Sequence, residues 1–192
     1  NEIAAHYSTA YRDINCDYGC SEGTCLEESD TIPGDIHLQN GDTLNLNADV
    51  VCDGTDGILI DAGRYDVKNV IIDCQGHSII GDNTAEKSGI AVDTSGVTSS
   101  KQTIMENVVI KNCNIYNFDK GIYLKARARV SGTDMGDVDL KNFEIKNNTI
   151  FNNSIGIEAR AHGDKSTSRD KEANVIDSEI KDNIISNNGI GI

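Results

Sequence analysis

The sequence contains no tryptophan, only one proline and few aromatic residues (5%). No apolar run approaches the roughly 18 residues that a membrane-spanning helix needs, so no membrane span is expected in this segment. Phosphate-binding loops, dinucleotide fingerprints and histidine-rich metal motifs are also absent. The formal net charge of -14 argues against nucleic acid as a partner, because phosphates would be repelled.

The apolar residues that are present are mainly isoleucine, valine and leucine, and they alternate with abundant asparagine, aspartate and glycine. This composition is typical of β-structure with many tight turns. The acidity is interpreted as a solvated surface, with cation binding as the alternative.

The six cysteines favour an oxidising compartment and predict disulfides among Cys16, Cys20, Cys25, Cys52, Cys74 and Cys113. A zinc site built from the first four is the competing interpretation, although no C-x2-C pair occurs there. Cys52 is the natural partner of one of the early cysteines. Cys74 and Cys113 fall near equivalent positions of a repeat, where a bridge is slightly favoured over two thiols.

Three similar sequence motifs follow one another at intervals of 35 residues: VVIKNCNIYNFDKGI, FEIKNNTIFNNSIGI and SEIKDNIISNNGIGI. Such a period indicates a solenoid. Within each copy the hydrophobic period is two, as in GIYLKARA, which predicts short strands and excludes helical repeats. Equivalent strands must then lie side by side and run parallel, so the fold class is all-β, with parallel sheets wound as a coil.

The repeat predicts which side chains face inward. Three inward columns are Ile58, Ile90, Ile122, Ile157 and Ile192; Ile60, Val92, Leu124 and Ala159; and Ile72, Ile110, Ile145 and Ile180. Two further columns should form asparagine ladders at the corners: Cys113, Asn148 and Asn183, and Asn117, Asn152 and Asn187.

These repeats, together with NVIIDCQGHSIIGD, resemble the right-handed parallel β-helix family, whose fold is that of pectate lyases. The resemblance covers roughly residues 49–192 and implies export to the cell surface. It is specific for fold and not for activity, because the architecture hosts both enzymes and scaffolds.

The predicted domains are a Cys-rich N-terminal cap or coupling segment, residues 1–35, and a β-helix of about five coils, residues 36–192. The cap would cover the exposed edge of the first coil. At the other end the sequence stops inside a strand, which predicts either a longer chain or a coil covered by another subunit. Extra residues at 94–103, 127–139 and 161–174 are expected to form loops on one edge of the solenoid.

The candidates for chemistry lie in one outward column, which reads Asp61, Asp93, Lys125 and Arg160. The resemblance implies that Asp61 and Asp93 could bind calcium and that Arg160 or Lys125 could abstract a proton from an acidic sugar. An ordinary charge ladder is the favoured interpretation, because two carboxylates are too few for a calcium shell. No other cofactor is expected.

Two glycosylation sequons begin at Asn147 and Asn152. His77 is expected in the turn of the entry coil without neighbouring aspartates, and His6, His37 and His162 have no Ser or Cys partner at a recognisable spacing.

The sequence therefore favours a non-enzymatic, extracellular structural protein. It would be a segment or subunit of a surface layer, adhesin or filament that associates head-to-tail or with other surface proteins. The alternatives are a polysaccharide lyase or hydrolase acting on acidic sugars, and a carbohydrate-binding module.

Overall fold

The computed structural model describes residues 20–21, 24–25, 31–61, 67–93, 103–128, 130–131, 134–135, 138–163 and 173–192. All the regular secondary structure in these ranges is β-strand, so the chain is all-β as predicted. No helix of membrane-spanning length and apolarity occurs in them.

Most strands belong to three parallel sheets. Sheet 1 contains β4 (Ile36–Leu38), β7 (Ile58–Asp61), β10 (Ser88–Asp93), β13 (Lys120–Ala128) and β19 (Ile155–Gly163). Sheet 2 contains β5 (Thr43–Asn45), β8 (Val67–Asp73), β11 (Thr103–Lys111), β16 (Val138–Lys141), β17 (Glu144–Lys146), β20 (Ala173–Ile176) and β21 (Glu179–Lys181). Sheet 3 contains β3 (Ile32–Pro33), β6 (Val50–Val51), β9 (Ser78–Ile80), β12 (Asn114–Tyr116), β18 (Thr149–Phe151) and β22 (Ile184–Ser186).

Two antiparallel hairpins stand apart from these sheets. They are β1 (Cys20–Ser21) with β2 (Thr24–Cys25), and β14 (Val130–Ser131) with β15 (Asp134–Met135). Strand β1 lies beside β3 of sheet 3.

The chain visits the three sheets in turn, as in the sequence β17, β18 and β19. Each strand then pairs in parallel with its equivalent one circuit away, and we call one such circuit a rung. Stacked parallel sheets of this kind are consistent with a β-helix.

The predicted inward columns agree with the observed register. Ile58, Ile90, Ile122 and Ile157 are successive Cα partners, and all four are fully buried. Ile157 donates its backbone N–H to the Gly191 carbonyl, but Ile192, the last predicted member of this column, is 73% exposed. Burial of such side chains contributes roughly 1.5–3 kcal/mol each and supplies most of the stability of the coil.

The other two columns are buried except at their ends. Ile60, Val92 and Leu124 are buried, and so are Ile72, Ile110 and Ile145. Ala159 is exposed and Ile180 is 41% exposed, because they lie on β19 and β21, at the ends of their sheets.

Left-handed backbone recurs at three positions in each of the later rungs, one within sheet 2 and two at the corners where the chain passes to the next sheet. In the fourth rung they are Asn142, Asn147 and Asn152, with φ of 53°, 54° and 54°. The equivalents one rung earlier are Asn107, Asn112 and Asn117, and those one rung later are Asp177, Asp182 and Asn187. Asparagine and aspartate tolerate this conformation better than other non-glycine residues, which explains their regular recurrence.

One predicted asparagine ladder is present and the other is displaced by one residue. Asn183 accepts hydrogen bonds at Oδ1 from the backbone and side-chain amides of Asn148, at 2.9 and 3.0 Å. The second ladder joins Asn153 to Asn188 with the same geometry, at 2.9 and 3.1 Å. Asn152 was predicted to belong to it but is an exposed corner residue, because a left-handed corner turns the following side chain inward instead.

Replacing Asn148 with alanine is expected to lower the free energy of unfolding by about 2 kcal/mol. Its side chain is buried, accepts a bond from the Cys113 amide at 3.0 Å and donates one to the Ile110 carbonyl at 3.1 Å. Alanine would leave both groups buried without a partner. Urea titration measures the change, and Asn147→Gly, at the exposed corner beside it, is the control expected to stay within about 0.5 kcal/mol.

The cysteines follow the predictions only in part. Cys74 and Cys113 form the expected disulfide, which joins two neighbouring rungs rather than stapling an N-terminal cap. Cys52 is a free, buried thiol, so the bridge expected between it and an early cysteine is not formed. Burial raises the pKa of this thiol to about 12, with a further contribution from Asp56, so it is chemically inert.

Three further predictions concern regions that the structure describes only partly. Cys16 lies outside the described residues, whereas Cys20 and Cys25 are Cα partners in the β1–β2 hairpin. The cap at residues 1–35 remains a prediction. Most of the three extra loops is likewise not described, but β13 and β19 extend toward them and pair as far as Ala128 and Gly163.

Candidate functional site

The structure places all four residues of the predicted charged column on neighbouring strands of sheet 1. Asp61 on β7 is the Cα partner of Asp93 on β10, which pairs with Lys125 on β13 and then Arg160 on β19. Parallel register, one rung apart, therefore brings the candidate ligands and bases together as the sequence predicts.

Asp93, Lys125 and Arg160 of this column form ion pairs with neighbouring side chains. The ammonium of Lys125 lies 3.1 Å from Oδ2 of Asp93, and both side chains are half-buried. Arg160 forms an ion pair with Glu158, two residues earlier on the same strand. No group of three or more histidine, cysteine, aspartate or glutamate side chains suited to a metal occurs among the described residues. The Asp93–Lys125 pair joins two neighbouring rungs, whereas the Arg160–Glu158 pair lies within β19.

Beside this column lies a glutamate to which the sequence assigned no role. The Glu158 side chain is only 14% exposed, and its Oε2 atom is buried without a hydrogen-bond partner among the described residues. Its Cα partner is Tyr123, whose ring lies 5.1 Å from the ammonium of Lys120. A buried carboxylate oxygen without a partner costs stability, which Arg160 offsets at the other oxygen. The sequence pattern along β19 alternates charged and apolar residues and does not indicate that the Glu158 side chain is buried.

A second charged array, on the outer face of sheet 2, was not predicted as a feature. Glu144 bonds Lys146 at 2.8 Å on its own strand and Lys181 at 2.9 Å on the next rung. These bonds hold the pKa of the Glu144 carboxyl below its usual value, and hydrogen bonds to Glu179 and Glu144 raise the pKa of Lys181. The array joins rungs electrostatically on the outside, as the asparagine ladders do on the inside.

The same array continues to Asp73 on β8. Burial alone would raise the pKa of the Asp73 carboxyl, but hydrogen bonds from Asn112 and Lys111 lower it overall. Asp73 is therefore ionised in the folded chain and holds Lys111 of the next rung at 3.0 Å.

His37 and His77 each lie beside an aspartate. His77, predicted to lack nearby aspartates, lies 3.5 Å from Oδ1 of Asp49. Because the same oxygen accepts the Ser78 amide at 2.7 Å, Asp49 orders the corner before β9. His37 lies 3.3 Å from Asp35. His6 lies outside the described residues.

Both predicted sequons coincide with positions at which the repeat itself favours asparagine. Asn147 and Asn152 are exposed left-handed corners, and each is followed by a buried ladder residue, Asn148 or Asn153. The third sequon position, Thr149 or Ser154, follows directly. The fold alone thus accounts for both asparagine pairs, whatever is attached to them.

Comparison with protein-family models, curated proteins and solved structures finds no match to this chain.

Proposed function

We propose that this chain is a right-handed parallel β-helix that serves as an exported architectural element, assembling head-to-tail into rods. The observation that carries the proposal is the uninterrupted register of three parallel sheets, reinforced on every side. Isoleucine columns fill the centre, asparagine ladders bind the corners, and ion pairs link the outer faces. The Cys74–Cys113 disulfide supports export, because such bonds persist in oxidising compartments.

Side chains on the outermost described rung are available for stacking. Ile180, Ile184, Ile190 and Ile192 are exposed by 41%, 63%, 57% and 73%. A further rung, contributed by another copy or by a longer chain, would bury Ile180 and Ile192 in their inward columns and pair the free strand edges, whereas Ile184 lies on the outer face of sheet 3. The ion pair between Asp93 and Lys125 also favours this role over a lyase, because it occupies the groups that catalysis would need.

Electron microscopy of the purified protein tests the proposal, and rods of uniform width are expected. Ile192→Lys should shorten or abolish them, because a lysine at that position would place a charge inside the next coil. Ser186→Lys, on an outward and exposed position of the same rung, should leave them intact. Dispersed particles that cleave an acidic polysaccharide, with loss of activity in Asp93→Asn, would contradict the proposal and favour the lyase.

A further inference from the structure

The outer face of sheet 3 differs from the other two in carrying no charge on its described strands. These six strands read IP, VV, SII, NIY, TIF and IIS. Sheets 1 and 2 carry lysine, arginine, aspartate or glutamate on their outer faces, and the chain as a whole is 25% charged. A charge-free face on such an acidic protein is the composition expected of a contact surface.

Apolar side chains form a continuous stripe along this face. They occupy outward positions of five successive strands in register, and we call the set the sheet 3 stripe: Pro33, Val51, Ile80, Tyr116 and Phe151. Val51 is 41% exposed. The Tyr116 and Phe151 rings stack at 4.7 Å between centroids, so they are already ordered and would lose little entropy on binding.

A column of neutral hydrogen-bonding groups runs alongside the stripe. It consists of Ser78, Asn114 and Thr149, which are successive Cα partners. The Asn114 side chain donates to the Gly76 carbonyl at 2.6 Å, which fixes its orientation. The charges nearest this face in sequence, such as Asp49 and His77, lie at the corner rather than on the strands.

We propose that the sheet 3 stripe is a lateral contact between two copies of this chain, packed face to face. The absence of charge on the described strands of sheet 3 selects this face, because association through sheets 1 or 2 would desolvate the ion pairs on their outer faces. Two such faces can lie about 10 Å apart with their strands nearly aligned, as in a β-sandwich. The Tyr116 and Phe151 rings already stack on each other, so their facing surfaces are not available to a sugar ring.

The size of the face determines when this contact forms. Six strands of two or three residues cover at most roughly 24 by 10 Å, or about 240 Å². A stable dimer buries about 800 Å² per partner, so single copies associate weakly. In a rod of stacked copies the stripe recurs in every copy, and the contacts add. The affinity of this contact therefore depends on the proposed rods, whereas the identity of the contact surface does not.

Electron microscopy of wild type, Val51→Lys and Tyr116→Lys tests the contact. Wild-type rods are expected to lie in pairs, and either lysine should reduce the paired fraction roughly tenfold while leaving the rods intact. The matched control is Val109→Lys, at an outward and half-buried position of sheet 2, which should pair like wild type. Val51 is exposed, so its variant separates loss of pairing from loss of folding.

The possible outcomes separate the two proposals. Single rods in wild type would overturn the lateral contact and leave the architectural proposal standing. Paired particles without rods would overturn the architectural proposal and leave the lateral contact standing. Pairs that survive both lysine substitutions, or that separate with Val109→Lys, would place the contact elsewhere. Pairing should also strengthen between about 0.05 and 0.5 M salt, because salt screens the repulsion between acidic copies; weakening would indicate ion pairs instead.

Discussion

Replacing Gly121 with alanine is expected to destabilise the protein by about 3 kcal/mol. A Cβ atom at this position would lie 2.5 Å from the Gly156 carbonyl oxygen and 2.6 Å from Cγ2 of Ile150. The first of these atoms is backbone, and its position is fixed by pairing between β13 and β19. The required movement would therefore open the spacing between rungs rather than rotate a side chain.

The requirement at Gly121 is for space and not for backbone conformation. Among the described glycines, positive φ occurs at Gly41, Gly54 and Gly76, and Gly121 is not among them. The column of Gly57, Gly89, Gly121 and Gly156 has the same crowding throughout, since each Cβ would meet the next rung within 2.8 Å.

Gly191→Ala is the matched control for this prediction. Gly191 occupies the same column on the outermost described rung, and its nearest neighbour would be Cγ2 of Ile185 at 3.9 Å. The control should therefore stay within about 0.5 kcal/mol of wild type, whereas Gly121→Ala should melt roughly 6–12 °C lower. Equal stability of the two variants would show that the rungs are not packed at the observed distance.

The repeat made much of the fold predictable from sequence. A spacing of 35 residues, with period two inside each copy, predicts the parallel register and the inward isoleucines, and both agree with the structure. A solenoid contacts only its neighbours along the coil, so one local rule determines every rung.

Errors arose where neighbouring residues have the same chemistry but different roles. The sequence reads Asn152-Asn153, and nothing in residue type tells the exposed corner from the buried ladder. Only the left-handed φ of 54° at Asn152 decides between them. Cys52 was misassigned for a related reason, because sequence proximity to other cysteines says nothing about the direction of its side chain.

The positions of the candidate site residues were predictable from sequence, but their ion pairs and burial were not. Register alone put Asp93 beside Lys125, but the ion pair depends on side-chain distances, and the buried oxygen of Glu158 depends on what covers it. The charge-free sheet 3 face, in contrast, was readable from sequence once the strands had been assigned to sheets.

Removing the Cys74–Cys113 disulfide is expected to cost roughly 4 kcal/mol, the chain-entropy value for a separation of 39 residues. The two Cα atoms lie 4.8 Å apart, which matches the distance between paired strands, so the bridge fits the stack as it stands. Urea titration of a Cys74→Ala/Cys113→Ala variant against oxidised wild type measures the loss. Reduced wild type should fall close to the variant.

A second variant distinguishes two effects of the disulfide: the contacts that it makes in the folded chain, and the conformational entropy that it removes from the unfolded chain. Cys113 occupies the column of Asn148 and Asn183, and its amide donates to Asn148 Oδ1 at 3.0 Å. In Cys74→Asn/Cys113→Asn the ladder could continue, because the side-chain amide introduced at position 113 could donate to the Ile72 carbonyl as Asn148 does to Ile110. This variant should recover about 1–2 kcal/mol relative to the alanine pair, but not the entropic part. If it is no more stable than the alanine variant, the asparagine ladder is not transferable between rungs, and the disulfide then does more than substitute for it.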